Sequence, residues 1–347
     1  MNNFFKDKKI LITGHTGFMG GWLTLALSRY TKNLYGISLP PSKNSFYNTL
    51  NIKRYIKKEY LFDLSKEKTV KIIRKINCDI IFHLAAQPLV SVSFEKTIKT
   101  FNSNIIGTIN VMEAAKHNNK KQTIIVVTSD KVYKNDERGI AFKENSNLGG
   151  KDPYSGSKSC QDIVSQTYNY SFFNDMKKSF GIARIGNIIG GGDWSKDRLI
   201  PDIFRKLNKS KVMIRNQNAI RPWQHVIETT YYLCQFAMKI SKNKNLSGAY
   251  NFGPNKINQC SVKKICKKIE EISKKSKTKI TFEYLKKNSL KEAKVLRLNN
   301  QKMKKILNLY PKYNINKSIE LTVEWYLNCK KKEIKEITLK QLSKYFI

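Results

Sequence analysis

Lys9-Ile10-Leu11-Ile12-Thr13-Gly14-His15-Thr16-Gly17-Phe18-Met19-Gly20 opens as a short apolar run, passes through three glycines at even spacing and enters residues 18–30, where apolar side chains recur at helical period. A strand that feeds a helix through such a turn lets the backbone approach a pyrophosphate closely. The first N–H groups of the helix and its positive end then favour the anion. The spacing alone is a weak signal, but strand before and helix after make it a dinucleotide-binding unit. Gly14, Thr16, Gly17, Phe18, Met19 and Gly20 are the residues expected against the cofactor.

Outward from this unit, short apolar runs alternate with amphipathic stretches, the rhythm of a parallel sheet covered by helices on both faces. Strands are predicted at 9–13, 34–38, 60–63, 79–84, 123–128 and 179–184, a count of six that suits an α/β, doubly wound parallel Rossmann sheet. After residue 184 the rhythm breaks into a glycine-rich loop, a helix at 199–208 and short elements without strict alternation. Residues 226–240 read as a long helix returning to the first domain. The expected organisation is a cofactor domain at 1–185 with a return segment at 226–252, and a smaller α/β substrate domain at 186–225 and 253–347. The Lys-rich tail after Cys329 reads as a loosely packed helix.

Composition narrows the function classes. No apolar run approaches the roughly 18 residues of a membrane span, and Met1-Asn2-Asn3-Phe4-Phe5-Lys6 leads into the first strand without a signal-peptide pattern, so a cytoplasmic protein with no membrane partner is expected. Six scattered cysteines form no CxxC pair and the histidines do not cluster, which predicts neither a disulfide framework nor a metal site. The net charge of +39 raises nucleic-acid binding, but only ten of the 65 basic residues are arginine and the lysines are dispersed. We therefore expect no nucleic-acid partner. A positive field still attracts an anionic substrate.

The catalytic candidates sit at strand ends and on one helix. Thr128-Ser129-Asp130-Lys131 follows the apolar run 124–127, where an open α/β sheet places its ligand crevice. Tyr154 and Lys158 are just over one helical turn apart, so phenol and ammonium project from one face. A nearby ammonium lowers the cost of a phenolate, which lets the tyrosine act as a base. Ser129 would bond the hydroxyl being oxidised, Tyr154 would take its proton, and Lys158 would hold phenolate and nicotinamide ribose.

Other cofactor contacts follow from the sheet. The second strand ends in Gly36-Ile37-Ser38-Leu39-Pro40, with no acidic residue for an adenosine ribose and no arginine for a 2′-phosphate. Ser38 is the residue placed there, and the missing arginine leans to NAD over NADP. Asp63, beside Leu64, either accepts from the adenine amine or caps a helix. Leu84, Ala85, Ala86 and Gln87 offer small side chains at the end of the fourth strand. Asn104 either orients backbone or a water near the lysine or is an exposed helix asparagine.

These motifs resemble the extended short-chain dehydrogenase/reductases of the NAD-dependent epimerase/dehydratase type. The resemblance rests on Gly14-His15-Thr16-Gly17-Phe18, His83-Leu84-Ala85-Ala86-Gln87-Pro88-Leu89-Val90, Thr128-Ser129-Asp130-Lys131 and Gly149-Gly150-Lys151-Asp152-Pro153-Tyr154-Ser155. It continues through Gly190-Gly191-Gly192-Asp193-Trp194, Asp197-Arg198-Leu199-Ile200-Pro201-Asp202, Ile214-Arg215-Asn216 and Ala219-Ile220-Arg221-Pro222-Trp223-Gln224-His225-Val226. Within the family the nucleotide-sugar 4,6-dehydratases are the nearest in pattern. The resemblance implies catalytic NAD, a CDP-glucose substrate, transient oxidation at C4, loss of water across C5–C6 and hydride return to C6. Asp130 would be the acid for the departing 6-hydroxyl. Dehydratases acting on dTDP-glucose carry a glutamate as C5 base where this chain has Lys131, a change that belongs to the CDP-type pattern. Lys131 is then either a base of depressed pKa or a solvated side chain, and the C5 base stays open.

For the nucleotide-sugar end, Arg198, Arg215 and Arg221 have forks that suit diphosphate oxygens. Gln87, Ser129, Asn187, Trp194, Leu199 and Gln224 complete the expected substrate contacts, with Trp223 either packing or shaping the base pocket and His225 structural or lining the pocket. The resemblance also implies a homodimer or homotetramer built on helices that include the one carrying Tyr154. The alternatives are a different nucleotide-sugar dehydratase or 4-epimerase, and, from another class, a non-catalytic Rossmann sensor or nucleic-acid-binding protein.

Overall fold

The chain was described from a computed structural model that covers residues 1–207, 211–276, 278, 280–285 and 293–346. Its centre is a parallel sheet made from β1 (Ile10–Thr13), β2 (Leu34–Ser38), β3 (Lys58–Leu61), β4 (Ile80–His83), β5 (Gln122–Val127) and β6 (Lys178–Ile185). These strands are apolar because both faces are covered: every residue of β1, β4, β5 and β6 is buried.

Two short pairings lie apart from this sheet. One joins β7 (Asn187–Ile189), β9 (Ile220–His225) and β11 (Gln259–Ser261), the other β8 (Val212–Ile214) and β12 (Phe282–Tyr284). The seventh strand of the main sheet is β10 (Gly248–Phe252), parallel to β6, which gives the order β10-β6-β5-β4-β1-β2-β3. The expectation of six strands is corrected here. Gly248-Ala249-Tyr250-Asn251-Phe252 is too short and too mixed to announce a strand, and its place was bought by packing: Tyr250 and Phe252 are buried against Phe236 of the returning helix.

That helix, Val226–Lys242, lies on β5, β6 and the helix Phe18–Leu27. Several boundaries shift from expectation. The glycine-turn helix ends at Leu27 and not at 30, β3 lies two residues earlier than predicted, and the helix expected at 199–208 spans Leu199–Arg205, with residue 208 outside the described residues. The tail is also corrected. Residues Ile334–Tyr345 form a helix with Leu342, Tyr345 and the following Phe346 buried, so the lysines occupy only one face.

Its anchor is charged. Tyr345 donates to buried Glu228 at 2.7 Å, and the same carboxylate oxygen accepts from the backbone of Lys312 at 2.7 Å and of Tyr313 at 3.1 Å. Two distant segments are thereby fixed to the start of the returning helix.

Candidate active site

At the carboxyl ends of β1, β4, β5 and β6 the sheet opens into a cleft of about 570 Å³. Its cofactor side is built by the glycine turn. Gly14 has φ +75°, and a Cβ there would stand 2.9 Å from the Ala85 backbone; one on Gly20 would stand 2.1 Å from the Gly14 carbonyl. No larger residue fits either position without moving the main chain. The helix Phe18–Leu27 begins at Gly17 with no side-chain cap, leaving its first N–H groups at the wall of the cleft. This is a donor set and a cradle that fit a dinucleotide pyrophosphate.

Thr16 holds the turn to the second strand through Ser38 Oγ at 2.7 Å and the Leu39 carbonyl at 2.9 Å. Ser38, Asp63, Leu64, Leu84, Ala85, Ala86 and Thr128 line the same cleft. Asp63 Oδ1 accepts from the Ser65 backbone at 2.9 Å, a local turn that fixes its carboxylate beside the helix Lys68–Ile76.

Ser129, Asp130, Lys131, Tyr154 and Lys158 converge on the floor. Asp152 caps the helix Pro153–Ser171 through the Ser155 backbone, and Pro153 occupies its first turn, so the start of the helix and the orientation of Tyr154 are set locally. Ser129 Oγ donates to Asp130 Oδ1 at 3.0 Å and accepts from the Lys131 backbone at 3.2 Å, and the same side chain pulls the Tyr154 phenol down. The serine thus stands between phenol and carboxyl.

Burial decides the protonation states. Desolvation pushes Asp130 up to about 6, against the opposing pull of Lys131, Ser129 and Arg221, and its Oδ2 is buried without a partner among the described residues. Tyr154 is also raised by burial, with Ser129 and Arg198 lowering it less than burial raises it. Lys158 is lowered by burial to about 7 despite Asp162. Its Nζ donates to the Val127 carbonyl at 3.2 Å and to Gln161 Oε1 at 2.7 Å. The Nζ of Lys131 is 5.9 Å from the centre of the Tyr154 ring.

The far side holds Asn187, Arg198, Leu199, Arg215 and Arg221. Arg221 donates to the carbonyls of Ile220 at 2.9 Å and Ala293 at 2.7 Å, which fixes the guanidinium across β9. Arg198 pairs with Asp193 at 3.4 Å and Arg215 with Asp197 at 3.2 Å, while Ser91 donates to Asp197 at 2.9 Å. Asp193, Asp197 and Ser91 line the cleft and were not picked out from the sequence. Asp197 stands next to Arg198 and Asp193 next to Trp194 in the quoted motif strings, and that adjacency was the available signal.

Four expected contacts lie elsewhere. Gln87 folds back on the Leu89 backbone at 2.7 Å and on Thr100 at 3.0 Å. Buried Asn104 clamps the Gln87 backbone, accepting its N–H at 2.7 Å, and donates to Ser157 at 2.8 Å; it shapes the cleft without lining it. Trp194 packs edge-on against Tyr326, and Gln224 donates to Glu228 at 3.0 Å. In each case a side chain that could reach a ligand found a partner inside the protein, an outcome that linear sequence does not encode. Trp223 lines the cleft and donates to the Cys260 carbonyl at 2.9 Å. His225 is fully buried, pushed down to about 3, and caps its helix by accepting from the Ile227 backbone.

Comparison with known proteins agrees in fold and extent. A family model described as GDP-mannose 4,6 dehydratase matches residues 11–322. The CDP-glucose 4,6-dehydratase of Salmonella typhimurium is 34% identical, with 96% of this chain and 97% of that protein covered. A UDP-N-acetylglucosamine 4-epimerase from Methanobrevibacter ruminantium, solved with UDP-N-acetylmuramic acid, has a TM-score of 0.79 at 21% identity over 93% of this chain and 99% of that one. A dTDP-glucose 4,6-dehydratase from Bacillus anthracis, solved with NAD, has a TM-score of 0.76 at 22% identity over 95% and 99%. At those identities the two structures bear on fold alone.

Proposed function

The chain belongs to the GDP-mannose 4,6 dehydratase family, and on that premise we propose that it is a CDP-glucose 4,6-dehydratase forming CDP-4-keto-6-deoxyglucose, a precursor for deoxysugar biosynthesis. The observation that carries the reading is Asp130, a buried carboxyl raised to about 6 and hydrogen-bonded to Ser129, in the cleft that Tyr154 also lines. An acid in that place serves the loss of a 6-hydroxyl, whereas a 4-epimerase has no hydroxyl to expel. The full-length relative named for CDP-glucose supplies the nucleotide.

The cofactor is NAD, which the glycine turn, Ser38, Asp63 and the 84–86 segment would hold, with Lys158 reaching its ribose. When bound it would supply the hydride acceptor for C4, the hydride for C6 and a positive charge. Tyr154, whose burial keeps it protonated in the free protein, becomes a base as positive charge gathers in the cleft, and takes the proton of the sugar 4-hydroxyl. Ser129 orients that hydroxyl. The 4-ketone acidifies C5–H, and as that proton leaves, Asp130 protonates the departing 6-hydroxyl so that water is lost. Lys131 lines the cleft and is our candidate for the C5 base. Arg198, Arg215 and Arg221 would take the diphosphate, Asp193 and Asp197 holding the first two until it arrives.

Residues 1–185 and 226–252 then form the cofactor domain, and 186–225 with 253–347 the substrate domain. We also place the protein in the cytoplasm and read it as a homodimer or a homotetramer. The surface that supports this carries Phe94, Ile98 and Ile106 beside Ile163 and Tyr170, all exposed, the last two on one face of the Tyr154 helix.

The reading is tested by offering CDP-glucose, dTDP-glucose, UDP-glucose and GDP-mannose separately and following 4-keto-sugar absorbance in alkali. Turnover of CDP-glucose is expected, and loss of it in Tyr154→Phe with nucleotide binding retained. Reaction with only another sugar nucleotide would overturn the assignment.

A further inference from the structure

Lys158 does not rest against a carboxylate. Three residues further along the same helix, Gln161 turns its amide oxygen to Lys158 Nζ at 2.7 Å while its Nε2 donates to Thr108 Oγ1 at 2.9 Å. Both residues are fully buried. Thr108 spends its own hydrogen on the Asn104 carbonyl at 2.7 Å, so it can only accept from its other partner, His83 Nε2, at 2.8 Å. The imidazole must carry its proton on Nε2, and its Nδ1 accepts from Thr13 Oγ1 at 2.8 Å; the threonine oxygen in turn accepts from the Ala85 backbone at 3.2 Å. Each proton in this chain is assigned, because every member but one has a single hydrogen to give in that direction.

We propose that Gln161 is a positioning residue for the reaction: it fixes the catalytic lysine by a buried hydrogen-bond chain that runs through Thr108, His83 and Thr13 to the backbone at the cofactor wall. The proposal rests on the assignment of Tyr154 and Lys158 above. Val127 and Gln161 take two hydrogens of the ammonium, and Lys158 lines the cleft, so the third is directed to a ligand hydroxyl there. A carboxamide that accepts at oxygen and donates at nitrogen cannot pass a proton along. The chain therefore orients and polarises Lys158, and its proton exchanges through the cleft.

The charged and titratable groups around it are few. Asp162 acts on Lys158 from the same helix, and His83, held neutral at about 3 by burial and by Lys158, faces it from β4. Asp130, Asp152 and Arg198 act on Tyr154, with Lys131 above its ring. The Gln161 oxygen favours the charged lysine, so its removal lowers the share of ammonium at neutral pH. Tyr154 then ionises at higher pH.

Gln161→Met, which keeps length and removes both hydrogen bonds, is expected to lower kcat roughly 10- to 100-fold and to move the ascending limb of the kcat/KM profile upward by about half a pH unit or more. KM for CDP-glucose should stay within about twofold, since Gln161 does not reach the cleft. Thr108→Ala, which frees Gln161 at its other end, should move the limb the same way by less. An unmoved limb in whichever variant retains the parent Tm sinks the proposal, even if kcat has fallen. Should the parent fail to turn over CDP-glucose, the activity reading fails first. The phenol titration, taken as the ultraviolet difference between each protein and its Tyr154→Phe counterpart, still decides the role of Gln161.

Discussion

Asp130 is governed by its surroundings more than by its type. Lys131 and Arg221 pull its ionisation down, yet burial outweighs both and holds it near 6. Since that value lies above the unfolded value of 3.8, the stability of the protonated form is complete below about pH 4 and is lost as pH rises through about 6. An asparagine has no charged form to penalise. Asp130→Asn should therefore melt higher than the parent at pH 8, by an upper limit of about 3 kcal/mol, and no higher at pH 4. An equal difference at both pH values, followed by calorimetry, would mean the carboxyl is not desolvated. The same variant should still oxidise C4 while water loss slows markedly, separable by single-turnover kinetics, so stability would rise as function falls. The spacing of Tyr154 and Lys158 was legible in the sequence because one helical turn fixes it. The depth of Asp130 was not, since neighbours from β6, β9 and the Tyr154 helix make it.

Between elements, the catalytic strand end is held by one ion pair. Asp162, on the helix Pro153–Ser171, accepts from Arg184 of β6 at 2.8 Å through both oxygens and from Thr128 Oγ1 at 3.1 Å. Arg184 continues to Tyr133 at 3.0 Å and to the Glu144 carbonyl at 2.7 Å, tying helix, strand and the 133–144 loop. Both side chains of the pair are almost wholly buried, so removing one leaves an uncompensated charge. Asp162→Ala should lose about 3–5 kcal/mol in urea unfolding, and Ser129 should lose its register with Tyr154. A loss below about 1 kcal/mol, the range of exposed pairs, would contradict this role. Apolar runs disclosed β1, β2 and β4 to β6 because strands buried on both faces need them. The edge strand β10 escaped notice because pairing with β6 and contact with Phe236 make up for its mixed composition.

At the scale of the whole molecule, the helix that carries Tyr154 and a helix packed beside it present exposed apolar side chains, the face on which the proposed assembly would form. Ile163 and Tyr170 are seven residues apart on one helix face, 50% and 81% exposed, with Ile98 at 78% on an adjoining helix. A stripe of that kind on a protein of net charge +39 is not explained by solubility. Ile98→Glu with Tyr170→Glu should turn the homo-oligomer into monomers by light scattering while each copy keeps its fold; a monomeric parent would remove the assembly from the proposal. By itself the sequence determined β1, β2 and β4 to β6, the glycine turn and the Tyr154/Lys158 pair, since periodicity and local spacing are properties of the chain. The tertiary structure alone decided which polar side chains reach the cleft and what charge they carry there. Gln87, Trp194 and Gln224 found partners inside, while Asp130 and Lys158 lost water to segments far away in sequence, and desolvation is a property of the folded surroundings.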